Sequence, residues 1–159
     1  MAGKGTGIIV TAEPKGTFLE GFVSGTPKPG TIMQVVAATE PVGGRFTWQA
    51  FDKLGDGALS LIAVLLPDEL QGKLNSDAYA SGDRCYLYCP LPGEELNVLK
   101  QDVAGTGDDF AIGDLLIVDD GTGKVIATTG SPESQPFVCM ETITDPTADV
   151  LVHVMFTGY

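Results

Sequence analysis

Residues 111–130 read AIGDLLIVDDGTGKVIATTG. The apolar run Leu115-Leu116-Ile117-Val118 meets the polar link Asp119-Asp120-Gly121-Thr122-Gly123, and Val125-Ile126-Ala127 then resumes ahead of two threonines. Two apolar runs of strand length joined by a glycine-bearing polar link make a β-hairpin. Gly113-Asp114, just before the first strand, repeats Gly82-Asp83, which opens another strand-like run at residues 84–89. Short strands and tight corners of this kind predict an all-β chain: a compact β-barrel or a jelly-roll-like sandwich.

The totals agree with that reading. A chain of 159 residues is the size of one ordinary domain and can bury a core without staples. Its 21 glycines exceed the usual share while aliphatic content stays normal, so the excess marks corners and not disorder. No apolar run reaches the ~20 residues that cross a bilayer as a helix. The first residues, MAGKGTG, show neither the charged nor the apolar region of an export signal, so synthesis and residence in the cytoplasm are expected. Three cysteines make an odd count. Cys85 and Cys89 on one strand face would stand about 13 Å apart, too far to bridge, so reduced packing thiols are expected. With one histidine and no paired thiols, neither a zinc site nor any other cofactor is expected.

Outward from the hairpin toward the C-terminus, residues 136–141 and 150–156 supply two more strands across a polar link at residues 144–147. In the last strand Val150, Val152, Val154 and Phe156 share one face and line the core. Leu151, His153 and Met155 share the other and await a cover, with a second copy as the expected one. Toward the N-terminus, Leu96, Leu99 and Val103 recur at helical spacing behind Glu94 and Glu95, which predicts a short helix over residues 94–103. A single helical turn is predicted at Pro67-Asp68-Glu69-Leu70, a doubly covered strand within residues 58–66, and strands at 31–36 and 45–51 with Phe46, Trp48 and Ala50 on one face. Residues 1–30, broken by Pro14, Pro27 and Pro29, read as an extended arm, and 31–159 as the β domain. The arm carries the apolar anchors Ile8, Phe18 and Phe22 and the cation Lys28, its candidate contacts with a partner.

Charge adds a second division. The chain carries 21 acids against nine bases, a formal net charge of −12, which disfavours nucleic acid as a partner. Residues 1–75 hold six of the bases and seven of the acids, so nearly all of the excess lies in residues 76–159. A near-neutral segment docks with little desolvation cost, while a strongly acidic lobe stays solvated. Nothing in the chain reads as catalytic machinery. Asp119-Asp120-Gly121 lacks the Asp-Thr/Ser-Gly order of aspartic proteases, Gly121-Thr122-Gly123-Lys124 lacks P-loop spacing, and no serine stands in a nucleophile elbow. His153 alone between two valines reads as a packed or interface residue, so no enzyme is expected.

Residues 82–158, with GDRCYLYCPLPGEELNVL, FAIGDLLIVDDGTGKVIATTGSPESQPFVCMETIT and LVHVMFTGY, resemble the head decoration proteins of tailed bacteriophages, also called cement or capsid-stabilising proteins. The resemblance implies a β-rich subunit, commonly a homotrimer, bound to the major capsid protein on the outside of the virion where capsomers meet, with no enzyme activity, cofactor or membrane association. On that reading the arm, through Ile8, Phe18, Phe22 and Lys28, would touch the shell and Leu151, His153 and Met155 would join copies. Removing residues 1–25 would then abolish binding and leave a folded barrel. The competing expectation is a soluble β-sandwich module for carbohydrate or another small ligand, with Trp48, Tyr79, Tyr86 and Tyr88 as stacking surfaces.

Overall fold

A computed structural model describes residues 7–36, 42–52, 62–101, 109–127, 136–144 and 150–158. The expected turn at Asp56-Gly57, the start of the apolar run at 58–61, the corner at 105–108 and most of the link at 144–147 lie outside the described residues.

Among the described residues ten strands form two units. β1 (Thr17–Val23), β2 (Ile32–Val35), β3 (Thr47–Ala50), β4 (Ala63–Leu65) and β5 (Arg84–Cys89) close into a barrel in the order β1-β3-β2-β4-β5. The β1–β3 pair is parallel and the other pairs are antiparallel, with β1 running along the full length of β5 from Thr17↔Cys89 to Phe22↔Arg84. β6 (Glu95–Leu99), β7 (Leu115–Val118), β8 (Val125–Ala127), β9 (Phe137–Cys139) and β10 (Leu151–Phe156) form a second sheet in the order β6-β10-β9-β7-β8. The two outer strands of that sheet meet at one end through the Lys100–Val125 bridge. The one described helical element is a single 3-10 turn at Glu69–Gln71, where the expected helical turn was placed; Asp68 caps it and Gly72 ends it in the left-handed conformation.

Strand alternation sorts the core into two parts. Val23, Met33, Trp48, Ala63, Leu65, Cys85 and Leu87 pack together inside the barrel. Their neighbours in sequence, Ile32, Val64 and Tyr88, point the other way and pack with Leu96, Val98, Leu116, Phe137, Val152 and Val154 of the second sheet. β4 is therefore covered on both faces, as its unbroken apolar character predicts. The β7–β8 hairpin fastens the two units at its tip: Ile32 N–H donates to Gly123 O at 2.7 Å and Gly121 N–H to Phe51 O at 2.9 Å.

Two expectations are corrected here. Residues 95–99 are strand β6 and not a helix: Leu96, Asn97, Val98 and Leu99 are all buried, and a strand covered on both faces carries no period of two to distinguish it from a helix face. Nor do residues 1–30 lie out as an arm over their described part. Thr17–Val23 is a barrel strand, and Ile8 is only 2 % exposed within the core shared by the two units.

Candidate functional site

The turns that open β5, β6 and β7 have one construction. In Ala80-Ser81-Gly82-Asp83, Leu91-Pro92-Gly93-Glu94 and Ala111-Ile112-Gly113-Asp114 the third residue is a glycine at φ near +90°. The fourth donates its N–H to the first carbonyl at 3.0, 3.1 and 3.1 Å respectively. Its carboxylate accepts the first residue's N–H in return, at 2.8, 2.7 and 2.7 Å. Each acid thus closes the turn by a second bond, which the glycine's positive φ permits.

Glu94 does more than close its turn. Its other carboxylate oxygen accepts Gly16 N–H at 3.2 Å and also Lys15 N–H, and Tyr88 Oη donates to the turn-closing oxygen at 2.7 Å while accepting from Gly16 N–H at 2.8 Å. The carboxyl is almost fully buried. Burial alone would raise its pKa, but the Leu91 and Lys15 amides, the Tyr88 hydroxyl and the Gly16 amide together hold it below the ordinary value. Tyr88 is pushed up to about 12, first by burial and then by the Glu94 carboxylate. Glu94 is one of a row of fastenings that hold residues 7–16 against β6. Asn97 N–H donates to Ile8 O at 2.7 Å, Val10 N–H to Glu95 O at 3.0 Å, Asn97 Nδ2 to Gly7 O at 2.6 Å and Glu95 N–H to Thr11 Oγ1 at 2.7 Å. This strap covers the free edge of the second sheet, which manages an otherwise sticky strand.

The expected contact residues are dispersed. Ile8 is buried, so its side chain is corrected from partner anchor to core residue. Phe18, 59 % exposed, and the half-buried Phe22 stand on the outer face of β1 with Glu20 between them. Lys28 is exposed on the loop after β1, at a cleft of about 380 Å³ between barrel and hairpin that Lys124, Ser24, Thr31 and Thr122 also line. Carboxylates stand beside that cleft: Thr122 Oγ1 donates to Asp119 Oδ2 at 2.8 Å, and Asp52 Oδ1 lies next to Gly121. Two lysines against two carboxylates select no ion by charge.

On the second sheet, Leu151, His153 and Met155 do share the face away from the core. Leu151 partly packs back onto the core, and His153 Nε2 lies 2.9 Å from Glu95 Oε2. Met155 stands in a cross-strand row with Val138 and Leu115, and Ile117 pairs with Ile126 beside it. Leu115 is 45 % exposed and the others are half-buried, so four adjacent strands present one apolar outer face. Sequence reading found Met155 but missed the neighbours, although the alternation in Leu115-Leu116-Ile117-Val118 carried the signal.

No family model matches the chain, and no curated protein matches it significantly. The site must therefore be read from its own chemistry. Trp48, Tyr79 and Tyr88 are 1 % exposed or less, so three of the four rings considered for sugar stacking are packed in the core. Burial lifts the Cys85 thiol to about 12 and Cys89 to about 11, which makes them poor nucleophiles at neutral pH. Among the described residues no three His, Cys, Asp or Glu side chains come together to hold a metal ion, and no helix is long and apolar enough to cross a membrane.

Proposed function

We propose that this chain is a non-enzymatic structural protein of a virion, a decoration or cement protein that binds the outer surface of a phage capsid and reinforces it. The observation that carries the reading is the outer face of the second sheet. A sheet whose inner face already packs on the barrel has no need of apolar side chains outside, yet Leu115, Ile117, Ile126, Val138 and Met155 place them there across four strands. Such a face suits a protein that works in contact with others, and the resemblance of residues 82–158 to head decoration proteins supplies the kind of assembly. In this reading the second sheet joins copies, as proposed for Met155, and the major capsid protein is the larger partner.

The test combines native mass with sedimentation on empty phage heads. The full chain is expected to run above its monomer mass of 16.6 kDa and to pellet with the heads. Leu115→Glu with Met155→Glu is expected to keep the fold, lower the native mass to that of a monomer and weaken pelleting at least about tenfold, because each partner then loses several contacts acting together. A wild-type monomer that stays in the supernatant would sink the proposal.

A further inference from the structure

On the outside of the barrel, β1 and β5 place arginine, aromatic and carboxylate side chains together. Strand alternation brings Phe18, Glu20 and Phe22 of β1 beside Arg84 and Tyr86 of β5, through the pairs Glu20↔Tyr86 and Phe22↔Arg84. Arg45, just ahead of β3, reaches the same spot. Arg45 Nε lies 2.8 Å and Arg84 Nη2 2.7 Å from one oxygen, Glu20 Oε2. Two guanidiniums thus share a single carboxylate oxygen on a chain of net charge −12, and the charge of Asp68 also reaches Arg84. The nearest other acid in sequence, Asp83, is already engaged by Lys73 at 3.4 Å and by the Ala80 amide.

Each arginine uses one N–H on Glu20 and finds no further acceptor among the described residues. Their side chains stay 42 % and 47 % exposed. A guanidinium fork is matched by two carboxylate oxygens, so this face holds two forks, each half occupied. Glu20 fixes where they stand: hydrogen bonds from Arg84 and then Arg45 hold its carboxyl below the ordinary range, so it stays ionised between them. Arg84 also lies over the Tyr86 ring, 5.7 Å from its centroid, and Phe18 packs on Tyr88 with ring centroids 4.9 Å apart. Arginine and aromatic side chains held in place before contact are the composition of binding hot spots.

We propose that this face is a docking surface for an acidic segment of another protein, an extended strand or loop with carboxylates on either side of an apolar side chain. The carboxylates would complete the Arg45 and Arg84 forks, and the apolar group would lie against Phe22 and Tyr86. The proposal concerns a face separate from the second sheet and holds whatever assembly the chain joins. Its test uses the isolated full chain, so its failure would leave the capsid reading to its own sedimentation experiment.

The probe is a capped peptide of alternating Glu and Leu, titrated into the isotope-labelled protein and followed by amide and arginine Nε–H resonances. Saturable shifts are expected at residues 18–22, 45 and 84–86, with affinity falling about fivefold or more between 50 and 300 mM salt as charge is screened. Arg45→Gln with Arg84→Gln should weaken binding about tenfold or more, each variant checked for an unchanged spectrum elsewhere. Glu20→Gln should strengthen it, because the amide oxygen still accepts from the arginines while the competing negative charge is gone; this gain cannot arise from a damaged fold. Four results would each overturn the proposal: no shifts at these residues, equal shifts with a Lys/Leu peptide, shifts with a heparin hexasaccharide but none with the Glu/Leu peptide, or movement of the same resonances on simple dilution, which would make the occupant a second copy.

Discussion

A single buried carboxylate, Glu94, holds the start of the chain to its middle. It closes a turn as Asp83 and Asp114 do, but it also accepts the Lys15 and Gly16 amides and the Tyr88 hydroxyl. Removing it strands the buried Tyr88 hydroxyl and three part-buried amides, whereas removing Asp114 strands one exposed amide. Glu94→Ala is expected to cost about 3 kcal/mol and Asp114→Ala about 1 kcal/mol, read from urea midpoints. Because the folded carboxyl titrates below its ordinary 4.5, its contribution is complete above that pH and fades as pH falls through the lowered folded value. Wild type should therefore lose stability below about pH 4.5 more steeply than Glu94→Gln. Equal slopes for the two proteins would remove Glu94 from the explanation. At this scale the sequence was partly legible: Gly82-Asp83 and Gly113-Asp114 stood out as matching punctuation, and Gly93-Glu94 is the same signal with a longer acid. Reading it would have placed a strand after residue 94 in place of a helix.

Among the elements, β5, β7 and β8 occupy the residues their apolar runs predict, because each is short, bounded by turns and covered on one side more than the other. β6 and β1 were misread for opposite reasons. β6 is buried too completely to show a period, and β1 is interrupted by Gly21, whose missing side chain makes room for the Trp48 ring. Since β1 pairs with both β3 and β5, removing residues 1–25 opens the barrel. That truncation is expected to be unfolded by circular dichroism and by amide dispersion, the reverse of the outcome a free arm would give. The β7–β8 hairpin offers a finer test. A Cβ on Gly123, at φ +64°, would sit 2.3 Å from Ile32 O and 2.8 Å from Thr31 Cγ2, while one on Gly121, at φ +82°, meets nothing closer than 3.6 Å. Gly123→Ala should cost about 3 kcal/mol, strain and overlap together, and Gly121→Ala about 1 kcal/mol from backbone strain alone. Similar losses at both positions would mean that the hairpin tip does not press on the barrel in solution.

Taken whole, the molecule is a barrel with its own apolar interior joined to a second sheet through a shared core, since Ile8, Ile32, Phe51, Val64 and Tyr88 pack directly with the second sheet. Neither unit can lose its partner without exposing that surface to water, so unfolding should be a single transition. The fluorescence of Trp48, inside the barrel, and amide signals from β7 and β8 are expected to share one denaturant midpoint. Two separated midpoints would show the sheets to be independent. Which sides of this body meet others was the least legible part, because a contact face is assembled from strands distant in sequence: Arg45 and Arg84 are brought together only by the barrel, and Met155 and Leu115 only by the second sheet.

The strap has one more consequence, for the order in which the protein is made. Residues 7–16 leave the ribosome well before the residues that hold them: their berth is built from Tyr88 and residues 94–97, and β1 likewise waits for β5. Until residues 84–97 emerge these segments have nowhere to bind, with Ile8 and the β1 phenylalanines uncovered. Folding of the barrel is thereby deferred until that stretch has been made, and nascent copies crowded on one messenger run their greatest risk of sticking to each other in that interval.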